Sequence, residues 1–377
     1  MLNRILKGGK VEFRLSDEQV ALCESVRKLL AARAPARIVF ESDSTDAVRA
    51  LWGQLSDAGL SSLGLDLPDL DLESSAIEQI LVAEELGRAA APTPYIGLEA
   101  ATLILSRSEL QAAADLLKRA LDGHIVVAAL PAAYGGTVDV KASEDATSSV
   151  LHGEVLLVPG ATWANTVLIT AESEGSVRVY ALDIDQSGCT VTPAPSIDPG
   201  SGLAAVTLDG ASAVPVLVDD ADKVIHDAVL LATLLAAAES TGIAYTALHM
   251  AADYARTREQ FGHPIGSFQA IKHKLADMVV DVENSRSACY GAAWKLRDGA
   301  EDAETFVHMA KAIAAEGGTH VAAQALQIHG GIGCTFEHPI HLYLRRAKAN
   351  QLLYGDTPEH LESLAEEFLA TEREQTR

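Results

Sequence analysis

The chain has 377 residues, 48% of them hydrophobic, and carries 52 acidic against 29 basic residues, a formal net charge of -23. That apolar content excludes a disordered chain, and the acidic excess argues against a nucleic-acid partner, whose phosphates it would repel. An anionic ligand would have to be held by a few local cations and backbone N–H groups.

The N-terminal MLNRILKGGK is too short and too polar for a signal peptide. No uninterrupted apolar run reaches about 18 residues, so no membrane span is expected and the expected location is cytoplasmic. Residues 16–120 read as helical. Ser16-Asp17-Glu18-Gln19 forms a capping box, and Leu22, Val26, Leu29 and Leu30 follow at helical spacing. The turn-rich stretch GLSSLGLDLPDLDLESS separates this helix from one ending at Arg88, stopped by Pro92 and Pro94, and a third helical pattern runs to Leu121. The texture changes at Gly123: HIVVAAL, SSVLHGEVLLVPG, TVLITA, SVRVYALDI and AAVTLDG are short β-branched runs punctuated by Gly, Asp, Ser and Pro. From Asp219 the pattern is again helical, with segments at 221–256, 265–298, 302–328, 338–353 and 357–371. The expected architecture is α+β: a helical domain over 1–122, an antiparallel β domain over 123–218 and a helical bundle, four-helix in type, over 219–377.

Cys23, Cys189, Cys289 and Cys334 include no C-x-x-C pair, and no histidine pair brackets a Glu at zincin spacing, so no metal is expected.

Two segments narrow the reading. Tyr254–Met278 reads YARTREQFGHPIGSFQAIKHKLADM and Gln327–Arg346 reads QIHGGIGCTFEHPIHLYLRR. Taken alone, Arg258 near a helix end fits either a surface ion pair or an anion contact, and Gly330-Gly331 fits a helix C-cap. Together, in a helix–β–helix chain of this length, the two segments resemble signatures of the acyl-CoA dehydrogenase family. The resemblance implies FAD as cofactor and an acyl-CoA thioester as substrate, dehydrogenated between its α and β carbons, with an electron-transfer flavoprotein as acceptor. It further implies that Arg258 meets the FAD diphosphate, as a planar multi-donor cation can. Gln260, Phe261, Gln269 and Gln327, with the Gly330-Gly331 turn, would contact the same cofactor, reaching across to the flavin of a neighbouring subunit.

The pattern also departs from the family. A carboxylate base is needed against the α-carbon. One family position for it falls on Tyr354, just before Gly355, and tyrosine with an ordinary pKa near ~10 is a poor base at neutral pH. Asp356 stands two residues on, with a shorter side chain. The other family position falls on Ala232, beside Thr233, and Glu239 lies two turns further along. Ala129–Gly136 replaces a segment that is polar in the family, and Thr162-Trp163-Ala164-Asn165 only loosely matches another flavin contact. Arg345 and Arg346 are expected to be ion-paired structural residues. The losses fall on what a subunit does for its own flavin, so the chain resembles the degenerate partner in an α2β2 acyl-CoA dehydrogenase, paired with a catalytic subunit and acting on a bulky, steroid-type CoA ester. Two other readings stand beside it: a self-sufficient dehydrogenase using Asp356 or, less readily, Tyr354 or Glu239, and a non-enzymatic acyl-CoA-binding scaffold.

Overall fold

The computed structural model describes residues 14–33, 35–40, 44–67, 72–73, 75–131, 138–145 and 148–375. Five helices come first: α1 (Asp17–Ala31), α2 (Ser44–Asp57), α3 (Ala76–Arg88), α4 (Tyr95–Ser106) and α5 (Gln111–Leu121). A two-residue ribbon, β1 (Asp66–Leu67) with β2 (Leu72–Glu73), stands between α2 and α3. The capping box at Ser16 forms as expected, with Gln19 N donating to Ser16 Oγ and Ser16 N donating back to Gln19 Oε1. A second one at Ser75 and Glu78 starts α3. The pattern expected to run unbroken to Leu121 is two helices, because Arg107 ends α4 and a new start follows at Gln111.

Strands β3 (Val126–Ala129), β4 (Val138–Asp145), β5 (Ser148–Val158), β6 (Thr166–Ser173), β7 (Ser176–Asp183), β8 (Cys189–Pro193) and β9 (Ala204–Leu217) form one sheet. Most pairs are antiparallel, but β3 runs parallel to β6 and β4 touches β6 in parallel at Lys141 and Glu172. Pairings β6–β4, β4–β5, β5–β9, β9–β7 and β7–β6 close a ring, so the sheet curls on itself as a small barrel. The apolar runs read from the sequence are its strands. β4 and β8 belong to no such run, because they are mostly polar and half exposed.

The C-terminal helices are α6 (Ala221–Thr257), α7 (Gln269–Arg297), α8 (Ala303–His329), α9 (Ile340–Leu352) and α10 (Thr357–Gln375). A short ribbon, β10 (Glu259–Gln260) with β11 (His263–Pro264), links α6 to α7. No single apolar run is of membrane-spanning length, yet α6 passes that test by mean hydropathy, 1.5 over its best window. That window is 89% buried in the protein, which marks α6 as the central core helix. α3 crosses it at close range. A Cβ on Gly242 would lie 1.9 Å from Glu84 O, and one on Gly87 would lie 2.1 Å from Glu239 O, so each helix requires glycine where the other's backbone passes.

Candidate functional site

Two regions carry the residues singled out from the sequence, and the structure treats them oppositely. The first is the end of the bundle where α6 and α8 stop. Arg258 caps α6 in an extended conformation, its N–H donating to Tyr254 O. The chain then reverses through Phe261-Gly262, with φ of 53° and 79°, the two left-handed residues of a tight hairpin. A left-handed phenylalanine costs on the order of 1–2 kcal/mol, and the turn presents the ring to solvent, 92% exposed. Phe268 meets it edge-on at 6.2 Å and leads directly into Gln269, the first residue of α7.

On the facing helix, the Tyr254 ring stacks on His329 at 4.6 Å, and His329 lies 4.4 Å from the His338 ring. His329 is buried, and its Nδ1–H donates to Ala325 O at 2.7 Å. This stack ties the end of α6, four residues before Arg258, to the end of α8, one residue before the Gly330-Gly331 turn. Gly330 has φ 62° and ψ -141°, a combination open to glycine alone, and a Cβ at Gly330 or Gly331 would meet nothing within 4 Å. Arg258, Gln260, Phe261, Gln269, Gln327, Gly330 and Gly331 are all exposed. Arg258, Gln269 and Gln327 have no side-chain hydrogen-bond partner among the described residues, while Gln260 donates only to the neighbouring Glu259 O. Unpaired donors around an open glycine turn suit a polyanionic, diphosphate-bearing group such as FAD.

The second region is where the family pattern would put a catalytic carboxylate. Its two base positions, Tyr354 and Ala232, come together in one apolar cluster with Leu353, Ala228 and Ala236. Tyr354 is 2% exposed and Ala232 fully buried. Thr233 spends its hydroxyl on Val229 O. The turn holding Tyr354, at φ 59°, is clamped from below. The fully buried Lys311 ammonium donates to Asn350 O at 2.8 Å and Gly355 O at 2.9 Å. Burial pushes Lys311 down to about 7, against the pull of Asp356 and Glu359. His360 Nε2–H donates to Tyr354 O at 3.0 Å, and its Nδ1 accepts from His308 at 2.7 Å. The Asp356 carboxylate is occupied in capping α10, accepting from Glu359 N at 3.0 Å while its own N–H donates to Glu359 Oε2 at 2.9 Å.

Beside this turn lies a buried ion network. Arg346 bonds Asp198, Glu239 Oε1 at 2.7 Å and the carbonyls of Ala91 and Gly200 at 3.2 and 2.8 Å. Asn350 donates to Glu239 Oε2 at 2.7 Å. The space between these groups, Tyr95 and Leu353 is about 50 Å³, room for a water or two and not for an acyl chain. Arg346 thus has the expected structural role. Arg345 differs: its guanidinium lies 5.9 Å from the Phe336 ring, and no carboxylate pairs with it among the described residues. Trp163 is 4% exposed and packs toward Gly202, and Asn165 Oδ1 accepts from Ile125 N, so this stretch serves the β region's own core. In Ala129–Gly136, residues 132–136 lie outside the described residues. Also among the described residues, no group of three or more His, Cys, Asp or Glu could hold a metal.

The described residues thus form a helical–barrel–helical α+β fold with an open, cation-bearing bundle end. The Acyl-CoA dehydrogenase, C-terminal domain, model matches residues 223–369. The chain is 31% identical over 353 residues to acyl-CoA dehydrogenase FadE27 of Mycobacterium tuberculosis, covering 86% of this chain and 89% of that one. It is 36% identical over 353 residues to FadE34 of the same organism, where it covers 88% of this chain and spans 45% of the relative's length. Among solved structures, the ChsE4-ChsE5 complex from M. tuberculosis superposes with a TM-score of 0.83 at 28% identity, over 95% of this chain and 99% of that one. The chain belongs to the acyl-CoA dehydrogenase family, whose members are oxidoreductases.

Proposed function

We propose that this chain is the non-catalytic subunit of a heteromeric acyl-CoA dehydrogenase and that it completes the FAD site of a catalytic partner. FAD, when bound in the complex, supplies the hydride acceptor. This chain contributes Arg258, Gln260, Phe261, Gln269, Gln327 and the Gly330-Gly331 turn to its diphosphate side. The observation that carries the reading is the contrast between the two regions. Both base positions are sealed in apolar packing beside the Arg346 network, while the exposed Arg258, Gln269 and Gln327 have no side-chain partner among the described residues. The likeness to the two-component ChsE4-ChsE5 complex supports an α2β2 assembly. The likeness to the Tcur3481-Tcur3483 steroid ACAD, 27% identical, favours a bulky, steroid-type CoA ester as the complex's substrate. An electron-transfer flavoprotein is the expected electron acceptor, the cytoplasm the expected compartment, and 1–122, 123–218 and 219–377 the expected domains.

Asp356 as base in a self-sufficient enzyme fits less well, because the carboxylate is already committed to capping α10. Co-expression with a candidate catalytic acyl-CoA dehydrogenase subunit tests the assignment. The complex should turn over acyl-CoA, with Asp356→Asn and Tyr354→Phe in this chain leaving the rate within about twofold. A loss of a hundredfold or more with either would sink the non-catalytic role.

A further inference from the structure

We infer that the cleft between the C-terminal ends of α1 and α3, the middle of α6 and the start of α9 is a binding site for an amphipathic organic anion. It shares no residue with the two regions above. Its volume is about 490 Å³, within the range of small-molecule sites.

The lining divides by chemistry. Leu30, Ala36 and Ala89 give an apolar floor, and Tyr245 and Tyr343 give two ring walls. Arg27, Arg37 and Arg88 supply the charge, opposed among the lining residues only by Glu85. Among the lining residues three arginines face one glutamate, and with Glu84 paired to Arg88 beneath them the balance still leans positive in a chain whose net charge is -23. Such a basin concentrates anions where the rest of the surface repels them.

The cationic groups are held in place before any ligand arrives. Arg27 grips Glu85 at 2.6 and 2.9 Å, and Arg88 reaches Glu84 at 2.6 Å. The Arg88 guanidinium lies 3.9 Å above the Tyr245 ring, a flat cation–π platform. Tyr343 Oη–H and Thr246 Oγ1–H both donate to Arg88 O, at 3.0 and 2.9 Å, which fixes the end of α3. Two donors remain underused. Arg88 Nε is buried with no hydrogen-bond acceptor, only a 3.5 Å approach to Glu85 Oε1. Arg37 donates to the carbonyl of Glu337 at 2.5 Å and meets no carboxylate among the described residues. An apolar floor with planar rings, the exposed Arg37 guanidinium and the Arg88 cation beneath suits a ligand with a flat hydrocarbon body and one anionic head, carboxylate or phosphate.

Calorimetric titration of the full chain, or of its complex where the two co-purify, tests this with three probes: cholate, inorganic phosphate and the neutral amphiphile octyl glucoside. Cholate should bind one per chain, phosphate and octyl glucoside at least tenfold more weakly. Arg37→Ala should weaken cholate tenfold or more, and Ala31→Trp, which fills the cleft from an exposed helix position, should abolish the site. Circular dichroism checks that each variant folds, and Arg37→Ala alone suffices if the tryptophan variant does not. Absence of saturable cholate binding, or cholate binding unchanged by Arg37→Ala, overturns the site. Equal binding of octyl glucoside overturns the role of charge, and equal binding of phosphate overturns the role of the apolar floor.

Discussion

Replacing Arg346 by alanine probes whether the region around the missing base is sealed. Arg346, Asp198 and Glu239 are each at most 6% exposed. Removing the guanidinium leaves two carboxylates buried, each with a single remaining donor: Gly200 N at 2.9 Å for Asp198 and Asn350 Nδ2 at 2.7 Å for Glu239. It also strands the carbonyls of Ala91 and Gly200. Breaking a buried pair from one side costs about 3–5 kcal/mol, because the surviving charge is uncompensated. Arg346→Ala should therefore lower the unfolding free energy by about that amount in urea titrations followed by circular dichroism, with an unchanged m-value. The triple variant Arg346→Met, Asp198→Asn, Glu239→Gln removes all three charges together and should recover part of the loss, since no uncompensated charge is left buried, although two amides remain there. A cost below about 1 kcal/mol for Arg346→Ala would refute the reasoning. It would mean that water reaches the carboxylates and that the region is an open, hydrated cavity.

The remaining predictions address other parts of the account. Glu99 is fully buried, burial pushes it up to about 8, and Gln79 Nε2 donates to one oxygen while the other has no partner. Its folded form holds a proton that the unfolded chain releases above about 4.5, so stability should fall as pH rises from about 4.5 to about 8. Glu99→Gln should flatten that slope and stabilise the protein at pH 8 by up to about 4 kcal/mol, measured by urea unfolding at both ends of the window; an unchanged slope would clear Glu99 of responsibility. Gly242→Ala puts a methyl 1.9 Å from the Glu84 carbonyl and should cost about 3 kcal/mol or more in melting experiments. Arg258→Ala should leave the melting of the isolated chain unchanged but weaken FAD retention by the complex about tenfold or more on dialysis; equal retention would remove Arg258 from the cofactor's neighbourhood.

Local chemistry made much of the fold legible. Ser16 and Gln19 announced α1, and the β-branched runs after Gly123 became strands. Helices α6 to α10 fell within a few residues of their expected bounds, α7 starting four later at Gln269. The polar strands β4 and β8 carried no apolar alternation to read, and the curling of the sheet depends on pairings between distant strands. The same distinction governs the candidate site. Arg258 and the Gly330-Gly331 turn sit in contiguous motifs and could be named in advance. The Arg346 network joins Asp198, Glu239 and Arg346, residues 148 and 107 positions apart in its two ion pairs, and no local pattern foretells it. Lys311 gives no sign in sequence that it holds the Tyr354 turn, since its partners are backbone carbonyls. Asp356 could be read as a base or as a helix cap, and only the bond from Glu359 N distinguishes the two.

Flavin stoichiometry tests the central claim most directly. The account predicts that the chain purified alone is colourless, and that its complex with a catalytic partner carries one FAD for every two chains, counted from flavin absorbance against protein concentration. A yellow protein from this chain alone with one FAD per chain, active on an acyl-CoA, would contradict it.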